Sequence, residues 1–103
     1  MARYIFVYHG GKAPSDPAQI EKVMAAWRKW YGGMGDKLLD GGGPAGKSST
    51  VSSAGVADNG GANPVSGFTL IEAPDQAAAN RIASGCPILS DGGSVEVAEI
   101  RSM

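Results

Sequence analysis

The sequence predicts an α+β fold: a ferredoxin-like βαββαβ chain with an antiparallel sheet. Three observations carry the prediction. Residues 4–9, 67–73 and 94–100 are short runs rich in aromatic and β-branched residues, which is strand chemistry. Residues 20–34 repeat apolar side chains at spacings of three and four, which is helix chemistry. An alanine-rich stretch after residue 75 gives a second helix between the last two strand runs, so the β-α-β pattern occurs twice.

Each element has local reasons. Tyr4-Ile5-Phe6-Val7-Tyr8-His9 is halted by Gly10-Gly11. Ser15 or Asp16 can cap the first helix, and Pro17 suits its first turn. Ile20, Val23, Met24, Trp27, Trp30, Tyr31 and Met34 then form one apolar face, which Gly32-Gly33 and Gly35 terminate. Residues 37–40 read as a short strand. Residues 41–67 hold 8 of the 16 glycines and read as loop or irregular hairpin, with pairing around residues 49–52. After the strand at 67–73, Pro74-Asp75 opens the second helix and Gly85 stops it. Residues 86–89 lead to a turn at Asp91-Gly92-Gly93, and residues 94–100 form the last strand.

With 103 residues the chain is sized for one domain, 1–103, and one modest core. Nine basic and ten acidic residues leave a net charge near −1, which argues against nucleic acid or a membrane surface as the partner. A lone cysteine, Cys86, fits a reducing compartment, and the N-terminus lacks a secretory pattern, so a cytoplasmic protein is expected.

The strands also predict assembly. In the first, Tyr4, Phe6 and Tyr8 oppose Ile5, Val7 and His9, and both sets are largely apolar. Two helices cover one side of a four-stranded sheet. A second copy packed sheet against sheet is the economical cover for the other, so a homodimer is expected.

Taken in order, Tyr4-Ile5-Phe6-Val7-Tyr8, the Met/Trp helix, Leu38-Leu39-Asp40-Gly41-Gly42, residues 67–73, Gly85-Cys86-Pro87 and Gly93-Ser94-Val95-Glu96-Val97 span nearly the whole chain. In these features the chain resembles the YCII-related, DGPF-domain-like proteins of the dimeric α+β barrel class. The resemblance implies a ferredoxin-like subunit and a two-fold dimer, and for some members small isomerase, dehalogenase-like or cofactor-free monooxygenase activity. Two departures stand out. Asp58-Asn59-Gly60-Gly61-Ala62-Asn63-Pro64 occupies the place of the DGPF sequence, and the family's His and Asp pair aligns with Met24 and Gly33.

Residues 41–48 spell the P-loop pattern of glycine, four residues, then Gly46-Lys47-Ser48. The phosphate-binding mechanism needs a following helix, and residues 48–55 are poor helix formers, so no ATP site is expected. Lys47 remains a candidate contact for an anionic ligand. His9, the one histidine, ends a strand beside two glycines, where a general base could face a pocket; a histidine bonded to backbone is the plainer role. Asp40 could join it or could cap the turn before Gly41. Glu72 and Glu96 could pair as acid and base or serve as strand charges. Trp27 and Tyr31 share a helix face and Trp30 is offset toward a rim; core packing is their default, an aromatic ligand wall the alternative. Cys86 follows a helix end, which disfavours a thiolate. One Cys and one His make no zinc set, and no metal or cofactor is expected.

The functional expectation is a small-ligand-binding protein or cofactor-free enzyme. Its pocket would lie between sheet and first helix, walled by Tyr8, Trp27 and Trp30. His9 and Asp40 would supply the chemistry, and Lys47 would stand at the mouth. The alternative is a non-catalytic interaction module whose dimer surface or Gly-rich loop meets another protein.

Overall fold

A computed structural model describes residues 1–12 and 14–102. Its strands and helices are β1 (Ala2–His9), α1 (Pro17–Met34), β2 (Leu38–Pro44), β3 (Thr50–Ser52), β4 (Gly55–Ala57), β5 (Val65–Ala73), α2 (Gln76–Ala83) and β6 (Ser94–Ile100). The main sheet runs β2-β5-β1-β6, every neighbouring pair antiparallel, with both helices on one face. This is the ferredoxin-like fold, with β3 and β4 inserted as a separate hairpin between β2 and β5.

The helix boundaries follow from capping. Asp16 accepts a hydrogen bond from the Ala18 N–H at 3.3 Å, and Pro17 occupies the first turn, where its missing N–H costs nothing. Gly35, at φ +57°, ends α1 in a backbone conformation that side-chain-bearing residues avoid. Asp75 caps α2 by accepting from the Ala78 N–H at 2.8 Å.

The core lies between sheet and helices. Tyr4, Phe6 and Tyr8 of β1 meet Thr69, Ile71 and Ala73 of β5, with Ala78, Ala79 and Ala83 of α2 packed above. Phe6 and Ile71 are fully buried, each worth about 1.5–3 kcal/mol of transfer free energy. Trp30 stacks on Phe6 at 6.0 Å, and Trp27 meets Tyr8 edge-on at 5.1 Å.

The expected apolar face of α1 is only partly used. Met34 is buried and Trp27, Trp30 and Tyr31 are half-buried, but Ile20 and Met24 remain 43% and 49% exposed. The Trp27–Tyr8 contact puts Trp27 over the last residues of β1. One and two turns earlier, by about 5–10 Å, the helix has run past the strand end and has no sheet beneath it.

The other sheet face is bare. Ile5, Val7, Phe68, Leu70 and Ala98 form its centre, with Arg3, Glu72 and Glu96 around them. The β3–β4 hairpin is exposed at every residue, including the cross-strand pair Val51 and Val56. The chain fits a thin slab of 43 × 42 × 19 Å. It exposes 6753 Å², about 1,300 Å² more than a compact monomer of 10.5 kDa is expected to show.

Candidate functional site

The sequence singled out six residues, and the fold does not gather them into one pocket. Tyr8, Trp27 and Trp30 lie on the helix-covered face, and their rings pack against one another. His9 alternates to the bare face. Asp40 lies across from Leu70 on β2, and Leu70 lies across from Ile5. Two strand spacings and four residues therefore separate Asp40 from His9, roughly 16 Å at Cα. Asp40 instead accepts a hydrogen bond from the Gly42 N–H at 2.8 Å, the turn-capping role. Lys47 pairs with Asp58 at 3.0 Å, both exposed, within the loop that carries the hairpin. No helix follows Ser48: residues 45–49 are irregular and β3 comes next, so the P-loop spelling lacks its phosphate-cradling geometry.

His9 is held by two partners the spacing did not name. Its Nε2 lies 2.9 Å from Glu96 Oε1, and its Nδ1 lies 3.2 Å from the Pro64 carbonyl oxygen. Both partners are acceptors, so the ring satisfies both only when it carries two protons. The hydrogen bond to Glu96 raises the pKa of His9; burial opposes the rise, and the Pro64 carbonyl adds to it. The imidazole side chain is 11% exposed while Glu96 is 66% exposed, so water or a ligand reaches the pair through the carboxylate. In this geometry His9 is a proton donor. Acting as a base requires release of one of its two contacts.

A break in register sets this up. Tyr8 pairs with Gly67 but His9 pairs with Val65, leaving Ser66 as an extra residue on β5. Such a bulge re-aims the side chains beside it. Ser66 Oγ is, among the described residues, the buried side-chain polar atom without a hydrogen-bond partner. Glu72 and Glu96 do not pair, because β1 lies between their strands. Glu96 was findable as the histidine's partner: it faces Val7 in the β1–β6 register, which makes it the diagonal neighbour of His9 on one face.

Beneath the helices, Tyr8 donates to Thr69 Oγ1 at 2.6 Å, and Thr69 donates to the Gly41 carbonyl at 3.1 Å. The Tyr31 hydroxyl is 3.4 Å from both Thr69 Oγ1 and the Gly41 oxygen. This hydroxyl chain joins α1 and β1 to β2 through β5. Burial pushes the Tyr8 phenol well above its ordinary pKa, so Tyr8 stays protonated. Cys86 is buried and its thiol is pushed up to about 11, which removes it as a nucleophile near neutral pH. Among the described residues no three His, Cys, Asp or Glu side chains group as a metal site, and no helix is long and apolar enough to cross a membrane.

No family model matches the chain, and no curated protein matches it. Among solved structures it is similar to 5-chloro-2-hydroxyhydroquinone dehydrochlorinase from Burkholderia phenoliruptrix, determined in complex with 2,5-dihydroxybenzoquinone. That likeness has a TM-score of 0.56 at 15% identity, over 96% of this chain and 95% of the other. At that identity the shared property is the fold.

Proposed function

We propose that the chain is one domain of a cytoplasmic, YCII-like homodimer that binds a small organic ligand or transforms one without a cofactor. The protomers pack sheet against sheet, and the ligand is held where His9 and Glu96 end the sheet. The bare face of Ile5, Val7, Phe68, Leu70 and Ala98 is the observation that carries this reading. A face so apolar wants cover, and the roughly 1,300 Å² of surplus surface exceeds the ~800 Å² each partner buries in a standard interface. Closing a second sheet over it leaves the imidazole–carboxylate pair at the rim of an apolar cavity. There a protonated His9, turning its Nε2–H from Glu96 to the ligand, donates to an anionic or carbonyl oxygen, and exposed Glu96 passes protons to and from water. The neighbour's quinone ligand is consistent with an oxygen-bearing ring as the class. In this reading Glu96 replaces Asp40 as the partner of His9. Tyr8, Trp27 and Trp30 support the site from beneath the sheet, and Lys47 stays with the loop.

The test is a thermal-shift screen of hydroxylated aromatics and lactones on wild type and His9→Gln. Ligand binding raises Tm with concentration, and the rise is lost in the variant. A second reading, a non-catalytic interaction module, is favoured by the hairpin, where Val51 and Val56 are 75% and 73% exposed. Stabilisation by no compound selects that reading.

A further inference from the structure

On the helix-covered side of the sheet, α1 and the segment 84–91 stand apart and leave a slot of about 720 Å³. Its origin is local. Trp30 bridges the gap by donating its indole N–H to the Ile82 carbonyl at 3.0 Å, while its ring stacks on Phe6. The indole is therefore a fixed apolar floor with its polar atom already satisfied. Met34 and Leu89 extend that floor, and Gly33 lines the slot without a side chain to fill it. A Cβ added at Gly33 would meet nothing within 4 Å.

The slot's charge is uneven. Lys22 and Lys29 both line it from α1, seven residues and about 10 Å apart along one helix face. Neither is in an ion pair among the described residues, whereas the neighbouring Arg28 is held by Glu21 at 2.9 Å. Asp91 is the one carboxylate on the wall. An apolar floor beneath two uncommitted ammonium groups is complementary to an amphiphilic anion. The volume lies within the roughly 300–1,000 Å³ typical of small-molecule sites.

We propose that this slot binds an aromatic acid, its ring lying on Trp30 and Met34 and its carboxylate or sulfonate held by Lys22 and Lys29. The site lies on the opposite side of the sheet from His9 and from the face assigned to the dimer. It stands whether or not those assignments do.

The probe is 1-naphthoate, titrated calorimetrically into the full chain. Wild type binds one molecule per chain, saturably. Lys22→Gln with Lys29→Gln weakens binding by about tenfold, because two partly solvated charge contacts are lost. The uncharged 1-naphthamide binds wild type correspondingly weakly. Gly33→Leu fills the slot and abolishes binding, while its Tm holds or rises because leucine is the better helix former. Phe68→Glu, on the bare sheet face, leaves the affinity unchanged. Absence of binding to wild type overturns the proposal. So does naphthamide binding as tightly as naphthoate, unaltered affinity in either slot variant, or loss of binding in Phe68→Glu.

Discussion

Replacing Thr69 with valine keeps the shape of a fully buried side chain and removes one hydroxyl. That hydroxyl is the hinge of the polar chain beneath α1. It accepts from Tyr8 at 2.6 Å and donates to Gly41 at 3.1 Å. In Thr69→Val the Tyr8 hydroxyl, on a side chain only 4% exposed, loses its acceptor, and the Tyr31 oxygen lies 3.4 Å from the site being deleted. A stranded buried donor costs about 1–3 kcal/mol, and the lost bond to Gly41 adds about 0.5–1.5. The expected destabilisation is about 2–4 kcal/mol, a Tm fall of roughly 10–25 °C for a chain of this size. Tyr8→Phe removes the donor itself and leaves Thr69 bonded to Gly41, so it costs only about 1 kcal/mol. The double variant strands nothing on Tyr8 and is more stable than the sum of the two single losses by about 1–2 kcal/mol. Urea denaturation of the four proteins measures this cycle. Strictly additive losses, or a Thr69→Val protein within about 0.5 kcal/mol of wild type, would refute the reasoning.

The contact to Glu96 makes His9 a source of pH-dependent stability. Its pKa is raised in the folded chain, so the contribution is complete below the unfolded value of about 6.5 and disappears as pH rises through the folded value. Glu96→Gln should lower the histidine pKa read from ring C–H shifts in NMR and speed amide exchange near Pro64; an unchanged titration contradicts the assigned pair. Gly42 stands at φ +64°, and a Cβ there would fall onto the Phe68 carbonyl oxygen. Gly42→Ala should therefore cost more than about 3 kcal/mol, while Gly41→Ala, with open space around it, costs at most about 1. Chemical denaturation separates the two, and equal losses contradict the β2 geometry.

The sheet and both helices were legible because their signals are local. Runs of aromatic and β-branched residues mark β1, β5 and β6, and Asp16-Pro17 and Asp75 announce the helix starts. The bounds of β2 were not. Residues 37–40 read as strand, but β2 runs on to Pro44: its register breaks after Asp40 and pairing with β5 resumes at Gly43 and Pro44, where only contact with β5 stabilises so permissive a backbone. The hairpin was half visible: Thr50–Ser52 lies within the anticipated pairing region, while its partner Gly55–Ala57 carries strand propensity only at Val56, between two residues depleted in strands. Helical period identifies which residues of α1 share a face but not how far the sheet extends beneath them, which is why Ile20 and Met24 proved exposed. Within the site, His9 was visible as a type of chemistry. Its partners come from 55 and 87 residues away, through sheet order and a bulge that no local pattern encodes.

Sedimentation equilibrium at micromolar concentration, on wild type beside Phe68→Glu, tests the sheet-against-sheet assembly most directly. Phe68 is 39% exposed on the bare face, so the variant's fold does not depend on it, and circular dichroism should be unchanged. The expected result is a wild-type mass of twice the 10.5 kDa chain and a variant at the single-chain mass. A wild-type protein that sediments as a stable monomer, or a dimer indifferent to a charge at Phe68, contradicts the assembly on which the proposed function rests.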